Sequence, residues 1–214
     1  MQSRPQPAPP SSLRLKYALD RVFAVLSLIV AGPIMAAVAI AIKLDDDGPV
    51  FFRQERVGLR GRRFRIWKFR TMVVNAEEIG KGYIPEGSDL VTKVGGFLRR
   101  SSLDEVPQVL NIVTGEMSFV GPRPTIPSQV ERYTEEQRGR LLVKPGVLGW
   151  AQLHGRDSLP WSKRIQYDLE YVERASLSFD AEIIWRTIPM VLRGGGVSDD
   201  VQPWEVDDLG EAAG

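Results

Sequence analysis

The sequence predicts an α+β fold that is mostly helical, contains one small β-hairpin, and is mounted on an N-terminal apolar helix-break-helix segment. Three observations support this prediction. Residues 22–42 form a run of 21 residues without a charge, and Gly32 and Pro33 interrupt it near its middle. Two short β-prone stretches flank a glycine-containing turn between residues 49 and 70. After Ser102, apolar residues recur at the spacing of a helix face.

Length and composition fit one compact domain with short appendages. The 214 residues are 43% hydrophobic and 26% charged, which is the balance of a folded chain with a sizeable core. The absence of cysteine excludes disulfides, thiolate zinc sites and cysteine nucleophiles. We expect a flexible lead-in over residues 1–12, a membrane segment over 13–43, a folded domain over 44–198 and an acidic, disordered tail over 199–214.

The apolar run admits two membrane arrangements. As an α-helix it would be about 31 Å long, enough to cross a bilayer. Pro33, however, lacks an amide hydrogen and its ring clashes with the carbonyl of Ile29, which predicts a kink or break. Each half is then too short to cross, and cations flank both ends, so the residues alone leave a re-entrant segment and a kinked spanning helix open. In both arrangements the basic, folded part is expected to face the cytoplasm.

The predicted hairpin carries most of the positive charge. Residues 50–52 and 64–67 are the β-prone stretches, and residues 58–61 supply the turn. Eight basic residues and one acid lie between Phe51 and Arg70, although the net charge of the chain is only +1. A block this basic beside an apolar segment favours anionic lipid headgroups, and a solvated hairpin face is the alternative. No recognition helix or aromatic-interleaved strand motif indicates a nucleic-acid partner.

Helices are predicted in the second half of the chain, after an irregular loop over residues 76–90. Ser102 with Glu105 matches a capping box, and Pro107 is tolerated near a helix start, so Asp104 falls in the first turn with Glu105. Further helices are predicted over 134–143, 162–173 and 180–193. The last of these is amphipathic and contains Trp185, which suits either a bilayer interface or a buried core.

Asp104 and Glu105 have a structural and a catalytic interpretation. Acids in a first helical turn are commonly caps, because the free amides and the helix dipole favour them. The same position suits chemistry, because a helix N-terminus attracts phosphate. A carboxylate that attacks a phosphate needs cations and usually Mg²⁺ to cancel the repulsion. The cations available in the sequence are Lys68, Arg99, Arg100, Arg123 and Arg156.

The turn at residues 121–124 and His154 also have structural interpretations. Residues 121–124, Gly-Pro-Arg-Pro, restrict the backbone on both sides of Arg123. Such a turn is either purely structural or a rigid mount for an anion-binding cation. His154 has no His or Cys partner for a zinc site, so we expect a hydrogen-bonded or exposed histidine and not a catalyst.

Taken together, a set of ordered motifs resembles the bacterial sugar transferase family, whose members are monotopic phosphoglycosyl transferases that initiate surface glycan assembly. The resemblance runs from about residue 15 to residue 198. Its motifs are Lys-Tyr-Ala-Leu-Asp-Arg (16–21), Gly-Pro-Val-Phe-Phe-Arg-Gln-Glu-Arg-Val-Gly (48–58), Lys-Phe-Arg-Thr-Met (68–72), Leu-Arg-Arg-Ser-Ser-Leu-Asp-Glu (98–105), Met-Ser-Phe-Val-Gly-Pro-Arg-Pro (117–124), Lys-Pro-Gly-Val-Leu-Gly-Trp-Ala-Gln (144–152) and Gly-Arg (155–156).

The resemblance implies a reaction and roles for the site residues. Such enzymes move a sugar 1-phosphate from a UDP-sugar to a polyprenol phosphate and release UMP. Asp104 would be the nucleophile that forms a covalent aspartyl–phosphosugar intermediate, and Glu105 would hold Mg²⁺. The residues expected to meet phosphates or the nucleotide are Lys68, Arg99, Arg123 and Arg156.

The resemblance also implies a membrane arrangement. Residues 13–43 would be a re-entrant helix broken at Gly32 and Pro33, with both ends in the cytoplasm. Residues 44–198 would then be a catalytic domain with interfacial helices on the cytoplasmic face of the bacterial inner membrane. The chain has Gly32 where many members have serine, Glu116 where many have aspartate, and His154 where many have asparagine. These departures put the choice of sugar in doubt more than the reaction.

A function of another class also fits the residues. In a membrane-anchored binding or scaffold protein, the two acids would be helix caps and the basic hairpin would hold anionic lipid. The sequence specifies neither the sugar nor the length of the prenyl chain, and it leaves self-association into a homo-oligomer open.

Overall fold

The computed structural model describes residues 11–76, 88–155, 159–192 and 208–209. This part of the chain is mostly helical and contains two small sheets, in agreement with the predicted α+β class. The helices are α1 (Ser11–Asp45), α2 (Lys93–Arg100), α3 (Val109–Thr114), α4 (Pro127–Glu131), α5 (Trp150–Leu153), α6 (Trp161–Arg174) and α7 (Leu177–Leu192). The strands are β1 (Phe51–Val57), β2 (Arg63–Phe69), β3 (Ser118–Val120) and β4 (Gly146–Leu148). Shorter 3₁₀ helices span Leu59–Gly61, Leu103–Gln108 and Gln137–Leu142.

Helix α1 continues through Gly32 and Pro33, so the helix is not broken at the predicted position. Proline fixes φ near the helical value, and an apolar helix can therefore pass through it at the cost of one hydrogen bond. Among the described residues, α1 is the one helix long and apolar enough to cross a membrane. Much of its apolar surface is exposed, with Ile29 at 73%.

Both ends of α1 contact the same folded body. Near its start, the Lys16 Nζ lies 2.9 Å from an Asp180 carboxylate oxygen of α7 and 3.2 Å from the Val120 carbonyl oxygen of β3. At its end, the Asp45 carboxylate accepts a hydrogen bond of 2.9 Å from the Val94 amide of α2. A face of α1 between these ends contributes Ala24 to the core beneath it. The helix is therefore attached along its length, and not only at one terminus.

The predicted hairpin is confirmed. Strands β1 and β2 pair antiparallel, with Phe51 opposite Phe69 and Val57 opposite Arg63. Arg60 and Gly61 in the turn have φ values of 56° and 77°, so the reversal uses the left-handed region that glycine adopts readily. Hairpin side chains also contribute to the cores that pack against α1 and α3.

The helix predicted after Ser102 differs from its prediction. The segment Leu103–Gln108, named here the acidic 3₁₀ helix, precedes the regular helix α3. The capping box is wrong, because Ser102 has a φ of 55° and its side chain makes no cap hydrogen bond. The Glu105 carboxylate instead bonds to cations from other elements. The prediction that both acids lie in the first turn is confirmed.

The remaining predicted helices are confirmed at 162–173 by α6 and at 180–192 by α7, and residue 193 lies outside the described residues. The segment predicted as a helix over 134–143 is only the 3₁₀ helix Gln137–Leu142. Glycine disfavours a helix interior, and a side-chain carbon added at Gly139 would lie 2.9 Å from the Leu169 side chain. Tight packing against α6 therefore requires a weak helix former at this position.

The parallel pair β3 and β4 was not predicted. Ser118 lies opposite Gly146 and Val120 opposite Leu148, which joins the 117–124 motif to the 144–152 motif. A side-chain carbon at Gly146 would lie 2.1 Å from the Gly121 nitrogen, so glycine is required for the two backbones to approach. The pair fixes where the Gly-Pro-Arg-Pro turn begins.

Three predicted segments lie mostly outside the described residues. They are the lead-in over 1–12, the loop over 76–90 and the acidic tail over 199–214. Within the tail, Asp208 accepts a hydrogen bond of 2.9 Å from the Ser162 amide at the start of α6. The neighbouring Leu209 is 6% exposed and packs in a core cluster with Val57 and Ile165.

Candidate active site

The acidic 3₁₀ helix packs against β2, and this contact brings the two acids to a lysine. The Lys68 Nζ, near the end of β2, lies 2.7 Å from a Glu105 carboxylate oxygen and 3.6 Å from an Asp104 oxygen. All three side chains are largely buried. A 3₁₀ helix has three residues per turn, so adjacent side chains diverge widely, yet one lysine reaches both carboxylates.

Arg123 holds the other side of Glu105. Its Nη2 donates to one Glu105 oxygen at 2.6 Å, and its Nη1 donates to the second oxygen at 3.3 Å. This is the paired geometry in which guanidinium groups bind carboxylates and phosphates most strongly. The same guanidinium would offer a diphosphate an equivalent pair of donors.

The two acids have opposite pKa shifts. Burial raises the pKa of Asp104, and the nearby Glu105 charge raises it further against the opposing effects of Lys68, Arg123 and Arg99. Burial also pushes the pKa of Glu105 upward, but Arg123 and Lys68 outweigh it and hold that pKa well below its usual range. Glu105 is therefore the carboxylate that binds both cations, and Asp104 is the more basic carboxylate of the pair.

The predicted cations are distributed as follows. Lys68, Arg99 and Arg123 gather around the acid pair, and the Arg99 Nε donates 3.1 Å to the Thr71 hydroxyl, which fixes its position. Arg100 is exposed at the end of α2. Arg156 lies outside the described residues.

A buried arginine fixes the backbone of the Gly-Pro-Arg-Pro turn. The Arg140 Nη2 donates to the Arg123 carbonyl oxygen at 2.8 Å, and the Arg140 Nη1 donates 2.8 Å to the Tyr133 hydroxyl and 3.2 Å to the Thr125 hydroxyl. The Arg140 Nε donates 2.8 Å to the buried Asp168 carboxylate of α6. The turn is thus held from inside the protein while the Arg123 side chain faces Glu105.

Sequence reasoning missed this buried network. Arg140 and Asp168 lie in separate elements with no shared motif, and neither residue type is commonly buried. Lys16, which the sequence shows only as the first residue of the 16–21 motif, is fully buried against Asp20, Ser118 and Asp180. Its i,i+4 spacing with Asp20 was the one signal of pairing.

His154 takes the structural role expected of it. Its Nδ1 lies 2.9 Å from the Trp150 carbonyl oxygen, and its ring stacks on Tyr167 with 4.2 Å between centroids.

The acid pair offers a donor set suited to Mg²⁺. The described residues contain no cluster of three or more His, Cys, Asp or Glu side chains around one point. Mg²⁺ sites at phosphate-transfer centres commonly use one or two carboxylates, with waters and substrate phosphates completing the octahedron. Asp104 and Glu105 are adjacent carboxylates of that kind, so the residues fit the ion.

Comparisons with known proteins show the family of this chain. The model of the family described as bacterial sugar transferase matches residues 11–194. The UDP-glucose:undecaprenyl-phosphate glucose-1-phosphate transferase of Escherichia coli K12 is 43% identical over 182 residues, which cover 81% of this chain and 39% of that protein. The UDP-N-acetylgalactosamine-undecaprenyl-phosphate N-acetylgalactosaminephosphotransferase of Aeromonas hydrophila is 39% identical over 188 residues, covering 85% of this chain and 44% of that protein.

The chain thus spans about two fifths of the length of these two relatives. A relative of similar length also matches. The exopolysaccharide production protein ExoY of Sinorhizobium fredii is 35% identical over 196 residues, covering 85% of this chain and 87% of that protein. Since the family model covers nearly the whole described chain, the protein belongs to the bacterial sugar transferase family.

Proposed function

We propose that this protein transfers a sugar 1-phosphate from a UDP-sugar to polyprenol phosphate and releases UMP. The observation that carries the proposal is the geometry of the acid pair, in which Lys68 reaches both Asp104 and Glu105 and Arg123 binds Glu105 through two donors. Support also comes from the relatives, whose names specify UDP-sugars and undecaprenyl phosphate.

The reaction would proceed in two displacements. In the first, an Asp104 oxygen attacks the phosphorus that bears the sugar, and the bond from that phosphorus to the bridging oxygen breaks. UMP leaves with the electron pair, and an aspartyl–phosphosugar acyl phosphate, a mixed anhydride of the Asp104 carboxyl group and the sugar phosphate, remains on the protein. In the second, a phosphate oxygen of the polyprenol phosphate attacks the same phosphorus and restores the Asp104 carboxylate. The product is a polyprenyl diphosphate sugar.

The surrounding residues would lower the repulsion between an attacking carboxylate and a diphosphate. Lys68, Arg99 and Arg123 supply fixed positive charges, and such preorganised groups need no reorganisation when charge develops. Glu105, with Asp104 beside it, would hold Mg²⁺, which supplies Lewis-acid stabilisation of the phosphate oxygens when bound.

The test of the first displacement is direct. Detergent-solubilised protein with Mg²⁺ and a panel of UDP-sugars should release UMP, and mass spectrometry should find a phosphosugar on the peptide that contains Asp104. Asp104→Asn is close in size to the native residue but lacks the nucleophilic oxygen anion, so it should show neither. Undiminished transfer by Asp104→Asn would refute the covalent mechanism. The most effective donor of the panel would identify the sugar.

We propose in addition that α1 is re-entrant, with the folded body on the cytoplasmic face of the bacterial inner membrane. A helix whose two ends, near Lys16 and Asp45, both contact one body is difficult to place across a bilayer. The exposed apolar face of α1 and the exposed Trp185 of α7, at 76%, support contact with lipid.

The cysteine-free chain allows this topology to be tested without a background. Single cysteines at the exposed positions Arg14 and Asp47 would mark the two ends of α1. A re-entrant helix predicts that a membrane-impermeant maleimide labels both in inverted inner-membrane vesicles and neither in intact spheroplasts. Labelling of one cysteine from each side would refute re-entry.

A further inference from the structure

A concave pocket adjoins the acid pair and has no role in the mechanism above. It encloses about 360 Å³, including the solvent at its mouth. Its lining residues come from the Gly-Pro-Arg-Pro turn, the 3₁₀ helix at 137–142, the β4–α5 junction and α6, and they are Arg123, Arg140, Gly149, Ala151, Gln152, Trp161, Arg164 and Asp168. Arg123 belongs to this pocket and also binds Glu105, so the pocket opens beside the proposed site of phosphoryl transfer.

The charges in the pocket are unevenly placed. Arg140 and Asp168 are fully buried and bonded to each other, so this part of the wall is neutral overall. The other two cations of the wall are Arg123, which is paired with Glu105, and Arg164, whose guanidinium lies 4.7 Å from the Trp161 ring centroid. A phosphate would therefore bind toward Arg123, and the neutral part of the pocket would take an uncharged portion of the same ligand.

Two polar groups in the wall have no protein partner. Within the described chain, no hydrogen bond joins any group to the Gln152 side-chain amide or to the Trp161 indole N–H. Gly149 and Ala151 beside them offer no polar side-chain atom. A largely apolar pocket with a few convergent polar groups is the usual form of a site for a small organic ligand.

The chemistry of these groups favours a pyrimidine base. The edge of uracil presents one N–H donor beside a carbonyl acceptor, and a primary amide can match both with two hydrogen bonds. Its flat faces suit an aromatic and small-residue wall.

We propose that this pocket is the subsite for the nucleoside of the donor, with Gln152 bonding to the edge of uracil and Trp161 forming a wall of the base site. The inference rests on the proposed function, because it assumes a UDP-sugar whose diphosphate lies between Arg123 and Asp104. It gives Gln152 and Trp161 a role in donor binding that is separate from the chemistry at the acid pair.

The primary experiment measures ligand affinities of the full chain by calorimetry in detergent. Gln152→Leu keeps the size of the side chain and removes both hydrogen-bonding groups, so UMP affinity should fall about tenfold. Pyrophosphate affinity should be unchanged, because the cations are intact. The matched control is Gln166→Leu, an exposed glutamine of α6 whose loss should change neither affinity.

A second measurement does not depend on a variant. Irradiation of the wild-type protein with 5-iodo-UMP should attach the base to Trp161, and peptide mass spectrometry would locate the adduct. The proposal is overturned if Gln152→Leu binds UMP as tightly as Gln166→Leu does, or if affinity for sugar 1-phosphate falls instead, which would make the pocket a sugar subsite. If Gln152→Leu loses affinity for both UMP and pyrophosphate, the adduct that 5-iodo-UMP forms with the wild-type protein decides the question. An adduct on Trp161 supports the proposal, and an adduct elsewhere rejects it.

These outcomes are separable from failure of the proposed function. UMP release by the wild-type protein tests the reaction without reference to the pocket. An active wild-type enzyme with an unaffected Gln152→Leu variant would reject only the nucleoside subsite.

Discussion

Replacing the buried Arg140 tests whether the clamp on the Arg123 backbone is an electrostatic unit. Arg140→Met retains much of the side-chain volume but removes the donors that bind Asp168, Thr125, Tyr133 and the Arg123 carbonyl. The Asp168 carboxylate then stays buried without a partner. Breaking a buried ion pair on one side costs about 3–5 kcal/mol.

The double variant Arg140→Met/Asp168→Leu should recover much of this loss, because it leaves no unpaired buried charge. The remaining penalty comes mainly from the Arg123 carbonyl, an unsatisfied buried acceptor that costs about 1–3 kcal/mol. Tyr133 and Thr125 can still bond to each other, since their hydroxyl oxygens are 3.2 Å apart. The double variant should therefore be more stable than Arg140→Met alone.

The assay is urea unfolding in detergent, followed by the fluorescence of the five tryptophans. A matched cycle uses the exposed pair Arg174 and Glu170 of α6, whose side chains are 47% and 40% exposed and whose N···O distance is 2.7 Å. That pair should show a coupling of only about 0.5 kcal/mol. If the two buried substitutions destabilise additively, the clamp is not an electrostatic unit and the reasoning is refuted.

Three further predictions concern pH, lysine reactivity and the tail. UMP release should decline as pH falls through the raised pKa of Asp104. Glu105→Gln removes a neighbouring negative charge and frees two cations, so it should lower the pKa of Asp104 and move the decline of any residual activity to lower pH. A decline at the same pH as in the wild-type protein contradicts the electrostatic coupling. Burial, with Arg21 nearby, lowers the pKa of Lys144 to about 8. The rate at which acetic anhydride labels Lys144 should therefore rise with pH and reach half its maximum near that value. A half-maximum at the pH of an ordinary lysine contradicts this prediction. Leu209→Ala should lower the free energy of unfolding by about 2 kcal/mol, whereas Leu142→Ala, a position 40% exposed, should cost less in the same urea titration; equal losses would mean that Leu209 is not part of the core.

The parts of the fold that the sequence predicts are those with short-range periodicity. The hairpin follows from alternating β-prone residues around a glycine turn, and α6 and α7 follow from their apolar stripes. The local pattern at Ser102 failed because a capping box and a left-handed turn share the same residue types. Tertiary contacts of Glu105 with Lys68 and Arg123 decided between them.

The structure brings together Asp104, Glu105 and three of the cations that motif order indicates, but their mutual geometry was not predictable from the sequence. Arg140 and Asp168 could not be found in this way, because their pairing depends on how the 3₁₀ helix at 137–142 packs on α6. A buried ion pair leaves no periodic signal, and a charged residue in a sequence is normally assigned to the surface.

The charges around the acid pair favour a divalent ion in the proposed reaction. Asp104 and Glu105 contribute two negative charges, and Lys68, Arg99 and Arg123 contribute three positive ones, so these five groups sum to +1 when all are ionised. In the proposed reaction the diphosphate of a UDP-sugar would add about two negative charges, which would leave the loaded site at about −1 before the proposed attack by Asp104. Residual repulsion of this kind opposes the first displacement in a dry site. Chelation with EDTA should therefore abolish UMP release, and added Mg²⁺ should restore it. Lys68→Met should need a higher Mg²⁺ concentration for half-maximal release, whereas Lys163→Met, at an exposed position of α6, should not. UMP release that persists in EDTA would show that these three cations suffice and that Glu105 serves only to orient them.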